Sequence, residues 1–416
     1  MTTRAGQCAR AVAFLQALMM VAGCGGSSSS SSSTTPGNTP VANTVSVSID
    51  GGPVPTENLF NALYTSVEIC VPGSTTECQT IGGIEVDTGS SGLRLLSSAV
   101  SLSLPKVTGP TGNPLAECLQ FSDSSTWGAV KKVDLKLAGE LAGGVPVQVI
   151  GDTSAGPVPT ACTKGGFPST NDQASLGANG VLGVGNFLQD CGPACEVSGS
   201  ANPGLYYECA SPTSCSITAV SLAEQVSNPV ASFASDNNGV VVQLPAVAGH
   251  AVSLTGSLIF GIGTQADNSL GAAKIFTLNG QGYLGTQYKG KSLPYSFVDS
   301  GSSGISFPDT SIPTCKDYSD LFCPKQDVKL SAILTSPGGV SSTIPFTVGN
   351  ADTLFAQFPS DSVFATVCSP AIVTDATAPN GPNSFDWGLT FFYGRTVFTA
   401  IEGRGTPGGA GPYVAF

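Results

Sequence analysis

Histidine is almost absent from this sequence, and charged side chains are scarce. The 416 residues include a single histidine, His250, and only 11% of them are Asp, Glu, Lys or Arg. One histidine cannot form the multi-histidine zinc sites or the H-E-x-x-H motif of metalloproteases. We therefore expect neither a metal nor a cofactor.

Basic residues are also few. Lys and Arg total 16 against 28 for Asp and Glu, so the formal net charge is −12, which leaves no basic surface for a phosphate backbone. Nucleic acid is not an expected partner. The low charge, together with 52 glycines and 29 prolines, disfavours coiled coils and helical bundles. The composition predicts an all-β chain that forms one large domain or two ordinary ones.

The N-terminus is typical of a lipoprotein export signal. Arg4 and Arg10 precede a mostly apolar run over residues 11–22, which is too short to span a bilayer. The run ends in Val21-Ala22-Gly23-Cys24, which resembles a bacterial lipobox, where the cysteine receives a lipid. This predicts that residues 1–23 are removed and that Cys24 is lipidated; the alternative is an ordinary secretory cleavage site with an incidental cysteine.

Residues 24–43 are predicted to be a flexible tether, because a segment dominated by Gly and Ser cannot bury a core. The lipid would hold the folded part at a membrane surface. Gly25, in place of an aspartate after the lipidated cysteine, is compatible with sorting to the outer membrane. We expect an exported cell-envelope lipoprotein, at the outer membrane or facing the periplasm, that is a monomer.

The cysteines favour an oxidising compartment. The chain has 13 cysteines, of which Cys8 lies in the signal and Cys24 would be lipidated. Several of the others are close neighbours in the chain, at spacings that suit disulfide-closed loops: Cys70 and Cys78, Cys191 and Cys195, Cys209 and Cys215, Cys315 and Cys323. The odd number that is left predicts at least one free thiol, with Cys118, Cys162 and Cys368 as the candidates. The sequence does not fix the connectivity.

One loop pattern occurs twice. Residues 84–96 read IEVDTGSSGLRLL and residues 296–308 read SFVDSGSSGISFP, so Val-Asp-(Thr/Ser)-Gly-Ser-Ser-Gly recurs. The apolar residues on both sides of each copy predict a strand, a tight loop and a second strand. The glycines give the loop its conformational freedom and leave room for another backbone to approach.

The two copies resemble the D-[TS]-G-[ST] loops of pepsin-like aspartic peptidases. Residues 179–185 are similar to the family's segment that crosses beneath the first loop, residues 387–398 are similar to its closing strand and short helix, and residues 258–261 lie where a second lobe should begin. The resemblance covers most of residues 60–416. It implies an all-β, bilobal double barrel with lobes at 44–235 and 236–416, each presenting one aspartate loop at a central cleft.

The resemblance implies that Asp87 and Asp299 are the catalytic residues. Two carboxylates about 3 Å apart hold one proton between them. The ionised member can take a proton from water while the protonated member donates to the peptide carbonyl. The resemblance also implies supporting roles for both loops: Ser90 and Ser302 would bond the outer carboxylate oxygens, Thr88 and Ser300 would reach the opposite lobe, and Gly89 and Gly301 complete the motifs.

The sequence departs from the family pattern at the hairpin flap that covers the cleft. The family has a tyrosine at the flap tip, hydrogen-bonded to a tryptophan after the first loop. Here Phe121 takes the place of the tyrosine and Arg94 that of the tryptophan. Trp127 is either a replacement aromatic over the cleft or an ordinary hairpin residue. In the second crossing segment, Asp386-Trp387 stands where the family has two aliphatic residues.

Two functions follow from the resemblance. The first is a membrane-anchored aspartic endopeptidase that hydrolyses polypeptides. The alternative is a catalytically inactive envelope lipoprotein that binds peptide or glycan in its cleft, which the altered flap favours. Retention of both aspartates favours the enzyme, because a binding protein does not need two mutually repelling carboxylates. A serine hydrolase is disfavoured, because neither loop has the G-x-S-x-G spacing and the context of His250 is that of a loop or strand edge.

Overall fold

The computed structural model describes residues 42–416 except 55–57, 123, 164–167 and 372–380. The predicted signal peptide, the lipidated Cys24 and nearly all of the predicted tether lie outside the described residues.

The described part of the chain is mostly β-structure, which confirms the predicted class at that level. Its first half contains ten strands: β1 (Thr44–Ile49), β2 (Tyr64–Cys70), β3 (Cys78–Asp87), β4 (Ser91–Leu96), β5 (Leu115–Gln120), β6 (Ser125–Leu137), β7 (Glu140–Ile150), β8 (Gly180–Val184), β9 (Tyr206–Ser211) and β10 (Ser214–Ile217). Strands β4 and β8 are buried along their whole length. A strand with one face exposed to solvent, such as Val328–Thr335 in the second half, tends to alternate buried and more exposed residues.

The second half, over its described residues, contains sixteen strands: β11 (Gly239–Gln243), β12 (His250–Ala251), β13 (Leu254–Phe260), β14 (Ile275–Thr277), β15 (Leu284–Tyr288), β16 (Lys291–Val298), β17 (Ile305–Phe307), β18 (Val328–Thr335), β19 (Ser341–Val348), β20 (Val363–Phe364), β21 (Cys368–Pro370), β22 (Asp386–Trp387), β23 (Thr396–Ala400), β24 (Gly405–Thr406), β25 (Gly409–Ala410) and β26 (Tyr413–Ala415).

Helices are short in the described ranges. The α-helices are α1 (Gln173–Leu176) and α2 (Ala351–Gln357), and the 3₁₀ helices cover Ser97–Ala99, Thr153–Ala155, Gly192–Cys195, Gly199–Ala201, Pro229–Ser232 and Leu389–Phe391. The side chains of Asp172 and Asn350 cap α1 and α2 by accepting hydrogen bonds from the first turn. None of the helices in the described residues has the length and apolar character needed to cross a membrane.

A closed barrel of six strands dominates the first half, in the order β6-β7-β4-β8-β3-β2, with β2 pairing back onto β6. Closure leaves no unpaired edge in this ring. Strand β8, which contains the predicted crossing segment, runs parallel to β3 and antiparallel to β4. The first aspartate loop therefore connects two strands that both pair with the crossing strand.

The second half repeats this arrangement in a nearly closed sheet of seven strands, in the order β19-β18-β15-β16-β22-β17-β21. Strand β22 runs parallel to β16 and antiparallel to β17. The second aspartate loop connects β16 to β17, as the first connects β3 to β4. The duplicated sequence thus occupies matching positions in the two sheets.

The large sheet extends across both halves of the chain. Strand β1 pairs with β13 over its whole length, from Thr44 opposite Ile259 to Ile49 opposite Leu254, and β13 continues to β11, β23, β26 and β14. One apolar core contains residues from both halves, including Leu93, Val240 and Trp387. Burial of this apolar surface is the main favourable contribution to the stability of the fold.

Five disulfides lie within the described residues, and they confirm the predicted cysteine-closed loops. The four neighbouring pairs are all bonded, and a fifth bond joins Cys118 to Cys162. Of the three candidates for a free thiol, Cys368 is the free one, and it is buried.

Candidate active site

The two aspartate loops meet face to face. Asp87 ends β3, and Asp299 follows directly after β16. A Cβ atom placed on Gly89 would lie 2.6 Å from Cγ of Asp299, and one on Gly301 would lie 2.9 Å from Cγ of Asp87. Only glycine leaves room for carboxyl groups this close. The structure therefore brings together the two carboxyl groups that the sequence analysis singled out.

Reciprocal hydrogen bonds join the loops. The backbone N–H of Thr88 donates to Oγ of Ser300 at 3.1 Å, and the backbone N–H of Ser300 donates to Oγ1 of Thr88 at 3.0 Å. The Ser300 hydroxyl donates in turn to the carbonyl of Val86 at 2.6 Å. Since these groups are buried, the bonds fix the position of one loop relative to the other.

The Asp87 carboxyl is held inside its own loop. Its Oδ1 accepts from the backbone N–H of Gly89 at 2.7 Å and from that of Ser90 at 3.2 Å. Its Oδ2 accepts from the Ser90 hydroxyl. Donors on both oxygens restrict the side chain to one orientation, and such preorganisation is useful to an acid–base group.

The Asp299 carboxyl has matching partners and a strongly perturbed pKa. Its Oδ1 accepts from the Gly301 N–H at 2.7 Å and its Oδ2 from the Ser302 hydroxyl at 3.1 Å. Desolvation, then the charges of Asp87 and Asp386, raise the pKa of Asp299 well above its usual range, although the Gly301 bond opposes this. The pair therefore retains a proton at a pH where an isolated aspartic acid is ionised.

Both carboxyl groups line a cavity of about 980 Å³. The antiparallel strands β5 and β6 form a hairpin whose turn contributes Phe121, Ser122 and Ser124 to the lining. Phe187 and Tyr283 contribute aromatic surface. A cavity of this size, lined by both apolar and polar side chains, suits an extended ligand with both kinds of surface, such as a peptide segment.

The two aromatic residues predicted for the flap lie in different surroundings. Phe121 lines the cavity. Trp127 is 1% exposed and lies in a separate small core, with its ring edge-on to Tyr207, and its Nε1–H donates to the Gly156 carbonyl at 3.0 Å. Trp127 is not among the residues that line the cavity, so its role is to pack the hairpin.

A buried ionic cluster, which the sequence did not predict, lies next to the first loop; we call it the Arg94 cluster (Arg94, Glu117, Asp190 and Tyr206). Nη2 of Arg94 contacts Oε1 of Glu117 at 2.7 Å and Oδ2 of Asp190 at 2.9 Å. The Tyr206 hydroxyl donates to Oδ1 of Asp190 at 2.8 Å. The available signal was an arginine in an otherwise apolar strand; nothing in the sequence pointed to its partners.

A third carboxyl group lies near Asp299. Asp386, on the crossing strand β22, is 1% exposed and lines the cavity. It pairs in register with Phe297 on one side and Ser306 on the other. In the first half the matching position is Val181, opposite Glu85 and Arg94. The two halves thus differ in charge directly beside the aspartate pair.

The described residues do not suggest a metal centre. The two groups with suitable spacing, Glu68 with Cys70 and Cys78, and Asp352 with Cys315 and Cys323, both depend on disulfide-bonded cysteines. A disulfide sulfur is not a thiolate and is a poor metal ligand.

The family model described as "Protein of unknown function (DUF3443)" matches residues 39–416. No curated protein matches the chain.

Proposed function

The chain belongs to the DUF3443 family, and we propose that it is a pepsin-like aspartic endopeptidase that uses Asp87 and Asp299 to hydrolyse polypeptides. The observation that carries the proposal is the contact between the two loops: two carboxyl groups from duplicated motifs face each other across Gly89 and Gly301 in one cavity. Holding two acids together is unfavourable unless they share a proton, and such pairs are typical of functional sites.

The pepsin-like assignment is supported by the pairing of the strands. A closed barrel and a nearly closed sheet each contain a crossing strand between the two strands that flank an aspartate loop. A hairpin borders the cavity beside the first loop. The serine and threonine hydroxyls of both loops make the contacts that the resemblance implies.

The chemistry assigns different roles to the two acids. Asp299 holds the shared proton, because desolvation and the neighbouring charge favour its neutral form. Asp87 then accepts a proton from water as the water oxygen attacks the peptide carbonyl carbon, while Asp299 donates to the carbonyl oxygen. As the tetrahedral intermediate collapses and the C–N bond breaks, the leaving nitrogen takes up the proton that Asp87 received from water, and Asp299 recovers a proton from a hydroxyl group of the intermediate as the product carboxyl group forms.

The test uses purified mature protein and an unfolded polypeptide substrate from about pH 3 to pH 7. We expect cleavage by the wild type and a loss of kcat of about 10²- to 10⁴-fold in Asp87→Asn and in Asp299→Asn. Asp317→Asn, at an exposed carboxyl group, is the matched control and should retain activity. Absence of cleavage at every pH, or equal cleavage by all variants, contradicts the proposal.

The second candidate is a binding protein with the same cavity and no turnover. The observation that favours it is that Arg94, in place of the family's tryptophan, contacts Glu117, while Phe121, in place of the flap tyrosine, has no hydroxyl group to bond. This function predicts that Asp299→Asn binds peptide or glycan more tightly than the wild type, because one repelling carboxylate has been removed, and that the wild type releases no product.

We also propose that the protein is an exported lipoprotein. The five disulfides support export, because such bonds persist in oxidising compartments. The pattern that ends at Cys24 supports lipidation. Cys24→Ala should move the protein from the membrane fraction to the soluble fraction of the envelope. Membrane association that is unchanged in this variant contradicts the lipid anchor.

A further inference from the structure

We propose that the Arg94 cluster holds the β5–β6 hairpin against the first aspartate loop, through contacts among Arg94, Glu117 and Asp190. We also propose that the cluster contains one titratable proton. The catalytic part of this inference rests on the proposed peptidase function, whereas its structural part does not.

Arg94 lies between the first aspartate loop and the hairpin. It is part of β4, the strand that leaves the loop, and its Nη1 donates to the carbonyl of Ser91 at 2.9 Å. Its Nη2 donates to Glu117, which lies on hairpin strand β5. One guanidinium group therefore bonds the base of the loop and the hairpin at the same time.

The same guanidinium group also contacts the cavity wall. Asp190 accepts from the same Nη2 atom, and it lies in the segment directly before the Cys191–Cys195 disulfide. The Tyr206 hydroxyl donates to Asp190 and accepts from the backbone N–H of Val226 at 2.7 Å. Tyr206 is on β9, in register with Glu117. The cluster thus joins the first aspartate loop, the β5–β6 hairpin and the cavity-lining segment that contains Asp190.

The cluster is almost completely buried. The side chains of Arg94 and Glu117 are 0% exposed and that of Asp190 is 2% exposed. Nε of Arg94 and Oε2 of Glu117 are buried without a hydrogen-bond partner in the described structure. Removing one partner from a buried ion pair leaves the other charge uncompensated, which is strongly unfavourable. Motion of the hairpin away from β4 would incur the same penalty.

The charges of the cluster do not balance when every group is ionised. The cluster has two carboxyl groups and one guanidinium group, and Tyr206 from β9 contributes only a neutral hydroxyl. Glu85, on β3 at the same register as Val181 and Arg94, adds another acidic group on this face. Burial and the charge of Glu117 raise the pKa of Asp190 well above its usual range, although Arg94 opposes this. A proton held on Asp190 makes the cluster neutral.

The consequence is a hairpin whose attachment depends on pH. With the proton bound, Arg94 balances one carboxylate and the hairpin is held. When the proton is lost, Glu117 on the hairpin and Asp190 on the wall carry like charges in a buried site, and their repulsion loosens the hairpin. The hairpin turn borders the cavity of the aspartate pair, so its order affects how a substrate is positioned.

The test is hydrogen exchange of the hairpin amides in the full mature protein, with kcat and KM measured on the same samples across pH. Arg94→Met should speed exchange in residues 115–137 by about 10-fold or more. It should lower kcat by about 10-fold or more with a smaller change in KM. Lys289→Met removes the Lys289–Asp309 pair of the other sheet and is the matched control; exchange in residues 115–137 and kcat should match the wild type.

Glu117→Gln tests the proton. Its side-chain oxygen still accepts from Arg94, but the cluster then has one carboxylate and needs no proton to be neutral. We expect the protection factors of the wild-type hairpin amides, which are corrected for the base-catalysed intrinsic exchange, to fall as the pH rises, and those of Glu117→Gln to lack that fall. The same dependence on pH in both proteins contradicts the titration. If Arg94→Met does not fold, Arg94→Lys replaces it. Lysine keeps the positive charge but lacks the forked guanidinium group that bonds Ser91, Glu117 and Asp190 together, so this variant should also speed hairpin exchange.

The two proposals fail in different ways. Hairpin exchange that depends on Arg94 in a protein without turnover contradicts the peptidase function and supports the structural part of the cluster proposal. If the protein cleaves peptides but its hairpin exchanges at the same rate in Arg94→Met and in the wild type, the cluster proposal is contradicted and the peptidase function is supported.

Discussion

At Gly89 and Gly301, the absence of a side chain leaves space for the carboxyl group of the opposite loop. The adjacent Thr88 and Ser300 use short side chains to reach the opposite backbone. The members of the repeated motif therefore have distinct physical roles, in which the acid carries the proton, the hydroxyls fix its orientation and the glycine permits the approach.

Gly89→Ala tests the close approach. Its new Cβ would lie 2.6 Å from Cγ of Asp299, so that side chain must move. We expect kcat to fall by about 100-fold, because a shift of about 1 Å in a reacting group has effects of that size. Folding stability should fall by about 1–3 kcal/mol. Gly143→Ala, where the nearest atom is 3.7 Å away, is the control, and a similar kcat in both variants contradicts the interpretation.

The proton on Asp299 predicts a dependence of stability on pH. Because the pKa of Asp299 is raised in the folded state, the native protein binds this proton more tightly than the unfolded chain does. The resulting stabilisation is complete below the unfolded pKa of about 4 and is lost as the pH rises toward the folded pKa. Asp299→Asn should therefore raise Tm, relative to the wild type, more at neutral pH than at acidic pH.

Thermal unfolding followed by circular dichroism at about pH 4 and pH 7 measures this difference. Asp317→Asn, at an exposed position, should show the same offset from the wild type at both values. An offset for Asp299→Asn that does not change with pH would exclude a raised pKa as its cause.

At the scale of elements, the β5–β6 hairpin is attached to the rest of the protein at several points. Trp127 packs the hairpin against a small separate core, β9 pairs with strand β5, and the Cys118–Cys162 disulfide joins β5 to the segment after β7. Cys118 and Trp127 pair with each other only two residue pairs from the end of the hairpin, and Ser125, directly after the turn, bonds to the backbone of Pro168 and Thr170. The hairpin is thus anchored close to the turn that lines the cavity.

The Cys118–Cys162 bond should stabilise the hairpin more than the short disulfides stabilise their loops. It closes a separation of 44 residues, against 4 for Cys191–Cys195, and loop closure in the unfolded chain is more costly for the longer loop. The double variant Cys118→Ala/Cys162→Ala should lose about 2–4 kcal/mol, and Cys191→Ala/Cys195→Ala should lose less. Urea unfolding measures the free energy of unfolding of both double variants. A larger loss in Cys191→Ala/Cys195→Ala than in Cys118→Ala/Cys162→Ala contradicts the prediction.

At the scale of the whole molecule, the carboxyl pair depends on contacts between distant parts of the chain. Thr88 and Ser300 bond to each other across a separation of 212 residues, and β1 pairs with β13. Neither half contains a complete pair of acids. The proposed chemistry therefore requires both halves to be folded and joined.

Ser300→Ala tests the link between the halves. It leaves the buried Thr88 N–H and the Val86 carbonyl without their partner, which should cost about 1–3 kcal/mol. It should also lower kcat, because the loops lose their fixed relative position. Ser303→Ala removes a cavity-lining hydroxyl of the same loop that takes no part in these bonds. Equal stability and kcat for the two variants, measured by thermal unfolding and peptide cleavage, contradict a role for Ser300 in alignment.

The sequence by itself determined the features that local rules govern. Low charge with many Gly and Pro predicted a β-rich chain, the spacing of neighbouring cysteines predicted four closed loops, and the repeated motif identified Asp87 and Asp299. Turn residues and short disulfide loops depend on neighbours in the chain, so their signals are visible in a sequence.

Only the tertiary structure decided which distant groups meet. It paired Cys118 with Cys162, placed Trp127 in a core away from the cavity, gave Arg94 two acidic partners and brought Asp386 close to Asp299. The physical reason is that a buried charge is tolerated only beside a compensating group, and that group can lie anywhere in the chain. An arginine in an apolar strand shows that a partner is required, but only the packing of strands determines which one.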